Sequence, residues 1–195
     1  MNRLAALISA LTFLLLASAS HAIPITYGAV LSGLAESPTN ASPGTGLATV
    51  TLDTAAHTLH VDVTFSGLTG TTTASHIHCC TASPGSGTAG VATPTPAFPG
   101  FPLGVTSGTY DNVLDLTLPA SWNAAFITAN GGTIAGAEAA LTAGLAVDKA
   151  YLNIHTSTFP GGEIRGFLQV PEPATLALLG LALAGLGFSR RRKLQ

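Results

Sequence analysis

The residues best suited to chemistry in this chain are three histidines. Ser75-His76-Ile77-His78-Cys79-Cys80 sets two imidazoles two positions apart, and Asn153-Ile154-His155-Thr156 supplies a third. With Ser75 to Cys79 extended, His76 and His78 point to one face and Ile77 to the other. His155 shares a face with Tyr151 and Asn153, opposite Leu152 and Ile154. Each imidazole can offer one nitrogen to a transition metal at about 2.0–2.1 Å, and a third from a neighbouring strand completes a site with an open position. Copper or zinc is the ion expected there. A second reading stays open, in which the His-x-His pair is structural and its rings donate to nearby carbonyls. His57 and His60 fall in a solvated turn and on a solvated strand face.

A second constellation is Gly161-Gly162-Glu163-Ile164-Arg165-Gly166, with Glu163 and Arg165 two apart on one strand face. Arg165 and Lys149 are the only bases between Ile23 and Val170. An arginine so isolated calls for a fixed partner, and Glu163 or Glu36 can pair with it as a carboxylate fork, an ion pair that orders strands. Cys79 and Cys80 are the only cysteines and are adjacent. Ordinary bridges prefer Cα separations of about 4.4–6.8 Å, while consecutive Cα atoms sit about 3.8 Å apart. Three outcomes are open: a vicinal disulfide in a tight turn, intermolecular bridges, or thiolate ligands beside His78. The reading adopted is the vicinal disulfide or a turn just after the strand.

The elements that must position these residues are mostly strands. Short runs of alternating β-branched and apolar residues are separated by Gly, Pro, Ser and Asn clusters. Strands are expected at Thr26 to Leu34, Gly46 to Leu52, Thr58 to Ser66, Ser75 to Cys79, Gly104 to Tyr110, Val113 to Leu118, Lys149 to His155 and Glu163 to Val170. In the clearest of them Leu59, Val61, Val63 and Phe65 share one face and His60, Asp62 and Thr64 the other. Ser83 to Pro102, rich in Gly, Ser, Thr and Pro, is expected to be a long loop, a feature uncommon unless functional. Two short helices interrupt the pattern, one capped by Ser121 and one over Ala135 to Ala143 stopped by Gly144.

Charge narrows the partners. Charged side chains make up only 8% of the 195 residues, against roughly a quarter in an ordinary soluble domain. Between Ile23 and Val170 two bases face eight acids, so no basic surface exists to neutralise phosphates, and nucleic acid is excluded as a partner. With 22 Gly and 12 Pro along the chain, many turns are expected and a helical bundle is not.

Both ends read as addresses. Arg3, the apolar run Leu4 to Ala17 and the small residues of Ser20-His21-Ala22 form a secretory signal over residues 1–22, cut by signal peptidase so that the domain spans 23–170. Residues 171–195 carry Pro171-Glu172-Pro173, an apolar run Thr175 to Phe188, and the basic stop Arg190, Arg191, Arg192 and Lys193. That run is short for a span of about 20 residues and suits a transient inner-membrane anchor. The joint pattern resembles the PEP-CTERM sorting signal. The resemblance implies cleavage near Pro-Glu-Pro by an exosortase, then delivery to the cell surface or the extracellular matrix.

The body carries a resemblance of its own. Val30-Leu31-Ser32-Gly33 with Glu36 and Pro38, Phe65-Ser66-Gly67-Leu68, Ala74-Ser75-His76-Ile77-His78, and Tyr151 to Thr156 through Pro160 to Gly166 together resemble the CHRD (chordin-type) domain, over about Ile25 to Val170. This implies an all-β, immunoglobulin-like Greek-key β-sandwich, here with a short helical insertion, serving as a secreted or surface module. Cys79-Cys80-Thr81 departs from the Gly and Pro that often follow the family's His-x-His. Gly67-Leu68-Thr69-Gly70 leading into His76-Ile77-His78 is also similar, more loosely, to the copper-ligand strand of Cu/Zn superoxide dismutases. The further ligands of that enzyme are missing. No nucleophile elbow, phosphate loop or acid–base carboxylate pair stands out. The function expected is therefore non-enzymatic, a structural or adhesive component touching extracellular polysaccharide or protein matrix. A copper- or zinc-binding extracellular protein is the alternative.

Overall fold

The structure, a computed structural model, describes residues 23–171. The expected signal peptide and the apolar run with its basic stop lie outside the described residues. Among the described residues no helix is long and apolar enough to cross a membrane.

Seven strands form the fold, as an all-β reading requires: β1 Ile25–Ser32, β2 Thr45–Asp53, β3 Thr58–Ser66, β4 Thr72–Cys79, β5 Gly108–Asp115, β6 Ala150–Thr156 and β7 Ile164–Phe167. They join in one sheet of order β4-β6-β7-β1-β2-β3-β5, antiparallel at every pairing. β2 and β3 pair over their full lengths, from Thr45 opposite Ser66 to Asp53 opposite Thr58. β1 and β7 share only the pair Ser32 and Arg165, with a further bridge between Gly28 and Gln169. The sheet curls over its apolar face, so Val50, Val61 and Val63 of one half meet Ile77, Leu152 and Ile154 of the other in one core.

Alternation explains the faces. Leu59, Val61, Val63 and Phe65 of β3 are buried while the residues between them are not. β6 is buried along its whole length because it lies between β4 and β7 and is covered on both faces. The strands expected at Gly104 to Tyr110 and Val113 to Leu118 are instead one strand, β5. The polar pair Asp111-Asn112 reads as a break, yet Asp111 sits on the outer face opposite Asp62, and the Asn112 amide donates to the Pro99 carbonyl. The last expected strand is also shorter, so Glu163 falls just ahead of β7.

Between β5 and β6 lie α1 Ala124–Ala129 and α2 Ile134–Leu145. Ser121 is not the cap of the first. It sits in a short 3-10 turn where its hydroxyl donates to the Asp115 carbonyl at 2.6 Å, and Asn123 caps α1 instead. Thr133 caps α2. Gly144 does not end that helix but lies in its last turn, where a Cβ would collide with the sulfurs of both Cys79 and Cys80.

Candidate metal centre

β4 is an edge strand, and an unpaired edge needs cover. Residues 83–102 supply it, with Gly90 accepting from the Cys79 N–H, Ala92 donating to the Ile77 carbonyl and Phe98 donating to the Ser75 carbonyl. The Thr93 hydroxyl accepts from the Ile77 N–H. The long loop is thereby ordered against β4, and its carbonyls reach the histidine face.

On that face β4 and β6 set His76 opposite Asn153, His78 opposite Tyr151 and Ala74 opposite His155. The three imidazoles come together. Ring centroids are 4.6 Å apart for His76 and His78, 4.7 Å for His76 and His155, and 5.8 Å for His78 and His155. Exposure is 6% for His76 and 9% for each of the others.

Hydrogen bonding sets the direction of each ring. His76 Nδ1 donates to the Pro96 carbonyl at 3.1 Å, His78 Nδ1 to Ala89 at 2.8 Å, and His155 Nδ1 to Pro160 at 2.9 Å. A carbonyl only accepts, so each Nδ1 carries the proton and each Nε2 keeps its lone pair. All three Nε2 atoms are buried and without a partner. The ligand atoms lie within 4.8 Å of one another, whereas three nitrogens bound to one ion at about 2.0–2.1 Å would sit roughly 3.4 Å apart. Contraction of up to about 1.4 Å would close the set on an ion, with the backbone carbonyls fixing tautomer and orientation as outer partners do in metal sites. Burial, followed by the charges of its two neighbours, pushes the His76 pKa down to about 3. Burial likewise takes His78 to about 4 and lowers His155, so at neutral pH the rings are unprotonated donors.

The other candidate residues divide. Arg165 and Glu163 do not pair. Arg165 Nε donates to the Ala35 carbonyl at 2.5 Å and Nη1 to Gly87 at 3.0 Å, while Glu36 Oε2 lies 3.7 Å from Nε, an ion pair without a bidentate fork. Its guanidinium stacks over Tyr151 at 4.6 Å, and Tyr151 in turn stacks on His78 at 4.7 Å with planes 7° apart. Glu163, fully buried, turns away to the Ser42 hydroxyl, the N–H groups of Thr69 and Gly70 and the Thr156 hydroxyl. Of the two carboxylates expected as the partner, Glu36 is the one beside Arg165, because Glu163 precedes β7 and faces the turn before β4.

Cys79 and Cys80 are joined by a vicinal disulfide across a cis peptide, with Cα atoms 3.0 Å apart. They are not ligands beside His78. His57 and His60 bond carboxylates, Glu138 at 2.8 Å and Asp111 at 2.6 Å, so His57 ties the β2–β3 turn to α2 rather than standing free in solvent. Pro171, at the end of the described residues, carries no contact of the site. Glu172, Pro173 and the basic cluster lie outside them. Residues the sequence did not flag are Ala89, Pro96 and Pro160, whose role is carried by main-chain oxygens and leaves no side-chain signal. Tyr151 could have been found from its place on the face of Asn153 and His155.

Comparison with known proteins gives two matches. The family model described as the CHRD domain matches residues 27–168, and that of the PEP-CTERM protein-sorting motif matches residues 169–193. A motif of this kind marks a chain for exosortase processing during export to the cell surface or beyond. No curated protein and no solved structure matches the chain.

Proposed function

The chain belongs to the CHRD domain family and ends in a PEP-CTERM sorting motif, and from that premise we propose that it is an exported module of the envelope or extracellular polymer matrix that holds a transition metal on His76, His78 and His155. The observation that carries this reading is the convergence of three buried, unpartnered Nε2 atoms. Buried polar atoms are nearly always paired, and a set left open in one place points to a missing partner. A purely structural role for the histidines explains the Nδ1 bonds to carbonyls but not why three buried rings, each with an unpartnered Nε2, gather in one cluster.

The route is export behind the leader, a transient inner-membrane stage on the C-terminal apolar run, and cleavage near Pro171-Glu172-Pro173. The domain then serves as a binder and not a catalyst. Contact with polysaccharide or protein matrix rests on Thr, Ser, Asn and backbone groups, since so few ionic groups are available.

Metal analysis of the protein isolated from cells that export it tests the centre. One equivalent of copper or zinc after loading and washing is expected in the parent protein, and none in His76→Ala. A parent protein that retains no metal would end this reading. Mass spectrometry of the C-terminus tests the route, and recovery of Arg190 to Lys193 on the exported protein would end that part.

A further inference from the structure

The donor set has no charge to offset that of an ion. Each ring bonds a backbone carbonyl through Nδ1 and presents a neutral Nε2. Among the described residues, the one group of three or more His, Cys, Asp or Glu side chains close enough to share an ion contains only these histidines. Glu163 is occupied by four donors, Glu36 lies against Arg165, and both cysteines are in the disulfide.

A fixed positive charge stands behind one of the rings. Arg165 stacks on Tyr151, which stacks on His78, so the guanidinium stands one ring behind a ligand. An ion held by three imidazoles that are each at most 9% exposed therefore gives up much of its water and sits near a cation. The solvation penalty grows with the square of the charge, so a dication costs about four times as much as a monocation. Repulsion from Arg165 doubles as well, offset in part by the Glu36 carboxylate 3.7 Å from its Nε. Among the ions that imidazole suits, zinc, copper, iron and nickel, copper alone has a common singly charged state. Three donors also satisfy cuprous copper, whereas a three-ligand zinc site needs a fourth group, such as water, in its open position.

We infer that the three-histidine pocket selects copper in its cuprous state over divalent ions, because neutral buried donors beside the Arg165 guanidinium penalise the second charge. This rests on the metal-centre reading above and goes further by naming the ion and its charge.

The experiment is a pair of competition titrations on the exported protein with its disulfide intact. Cuprous ion is supplied without air as its bicinchoninate complex, and zinc is supplied on a chromophoric chelator of known affinity. Withdrawal of one equivalent of cuprous ion is expected, roughly a hundredfold or more tighter than zinc. The copper-loaded protein is expected to give no electron paramagnetic resonance signal after exposure to air. His57→Ala, outside the site, should bind as the parent does. His76→Ala should lose the equivalent, and if it fails to fold, His155→Asn, whose amide occupies the Nδ1 position and can still donate to the Pro160 carbonyl, provides the same reading. Stoichiometric zinc uptake with cuprous ion left on bicinchoninate would overturn the cuprous inference and leave the metal centre standing. Uptake of neither ion would overturn both.

Discussion

The Thr69 N–H donates to the Glu163 carboxylate at 2.5 Å, across 94 positions of sequence, and so ties the turn before β4 to the start of β7. Ser42, Gly70 and Thr156 add three more donors to the same fully buried carboxylate. Burial alone would raise the Glu163 pKa, but these four hydrogen bonds hold it below the usual carboxylate range. Its contribution to stability is therefore present above the unfolded value of about 4.3 and is lost as pH falls through the lower folded value. Glu163→Gln should cost roughly 2–4 kcal/mol at pH 7, since an amide gives two of those donors a poorer acceptor or none. Urea denaturation at pH 7 checks it, and a loss under 1 kcal/mol would show that the cluster is not charge-assisted.

A wider pH effect comes from the histidines of the metal-free protein. With folded values of about 3 for His76 and about 4 for His78, and a lowered value for His155, the native state refuses protons that the unfolded chain binds near 6.5. Their stability contribution is full above about 6.5 and is lost as pH falls below it. Glu36 opposes them. Burial outweighs Arg165 and lifts its carboxyl to about 7, so the native state keeps a proton that the unfolded chain releases above about 4.3, and stability falls as pH rises toward 7. Three groups outweigh one. Between pH 5 and 6.5 the chelator-treated protein should gain stability with pH, by about 2–3 kcal/mol per unit at the steepest. Urea midpoints across that window measure it, and His155→Gln should reduce the slope. A profile that stays flat in the parent would contradict the neutral, buried rings.

Arg165 holds Ala35, Gly87, Glu36 and Tyr151 at once. Arg165→Leu leaves two carbonyls and a buried carboxylate without their partner and should destabilise by roughly 3–5 kcal/mol. Arg165→Lys keeps the charge but loses the planar fork and the stacking face, so it should recover only part of the loss. Comparing the two by chemical denaturation separates charge from shape, and equal stability of lysine and arginine would show that the plane contributes nothing.

Gly144 sits beneath the disulfide, where a Cβ would meet both sulfurs. Alanine is ordinarily the better helix former by about 1 kcal/mol, but here overpacking should win and Gly144→Ala should destabilise by roughly 1–3 kcal/mol. Introduced with Cys79→Ala and Cys80→Ala, the same substitution should become neutral or stabilising. Thermal melts of the single, double and triple variants give the coupling. An unchanged penalty in the cysteine-free background would place the clash elsewhere.

Much of the fold was legible because alternation is local. Thr58 to Ser66 reads directly as a strand with one buried face, and the structure matches it to the residue. The break at Asp111-Asn112 misled because a polar pair looks the same in a turn as on a solvated strand, and only the pairing with β3 distinguishes the two. The helices were legible in composition but not in their caps, since Ser121 and Asn123 are equally good acceptors and the 3-10 turn at Pro119 decides which one stands at the helix start.

By itself the amino-acid order determined the all-β class, the family, the address at the C-terminus, and that His76 and His78 share a face. The tertiary structure alone decided that His155 joins them, that Arg165 faces Glu36 rather than Glu163, and that the cysteines close on each other beside Gly144. Period-two patterning is written between neighbours, whereas these contacts join positions up to 130 apart. The atoms that aim the histidines are main-chain oxygens of Ala89, Pro96 and Pro160, which every residue possesses and which acquire direction only when the loop over β4 is folded into place.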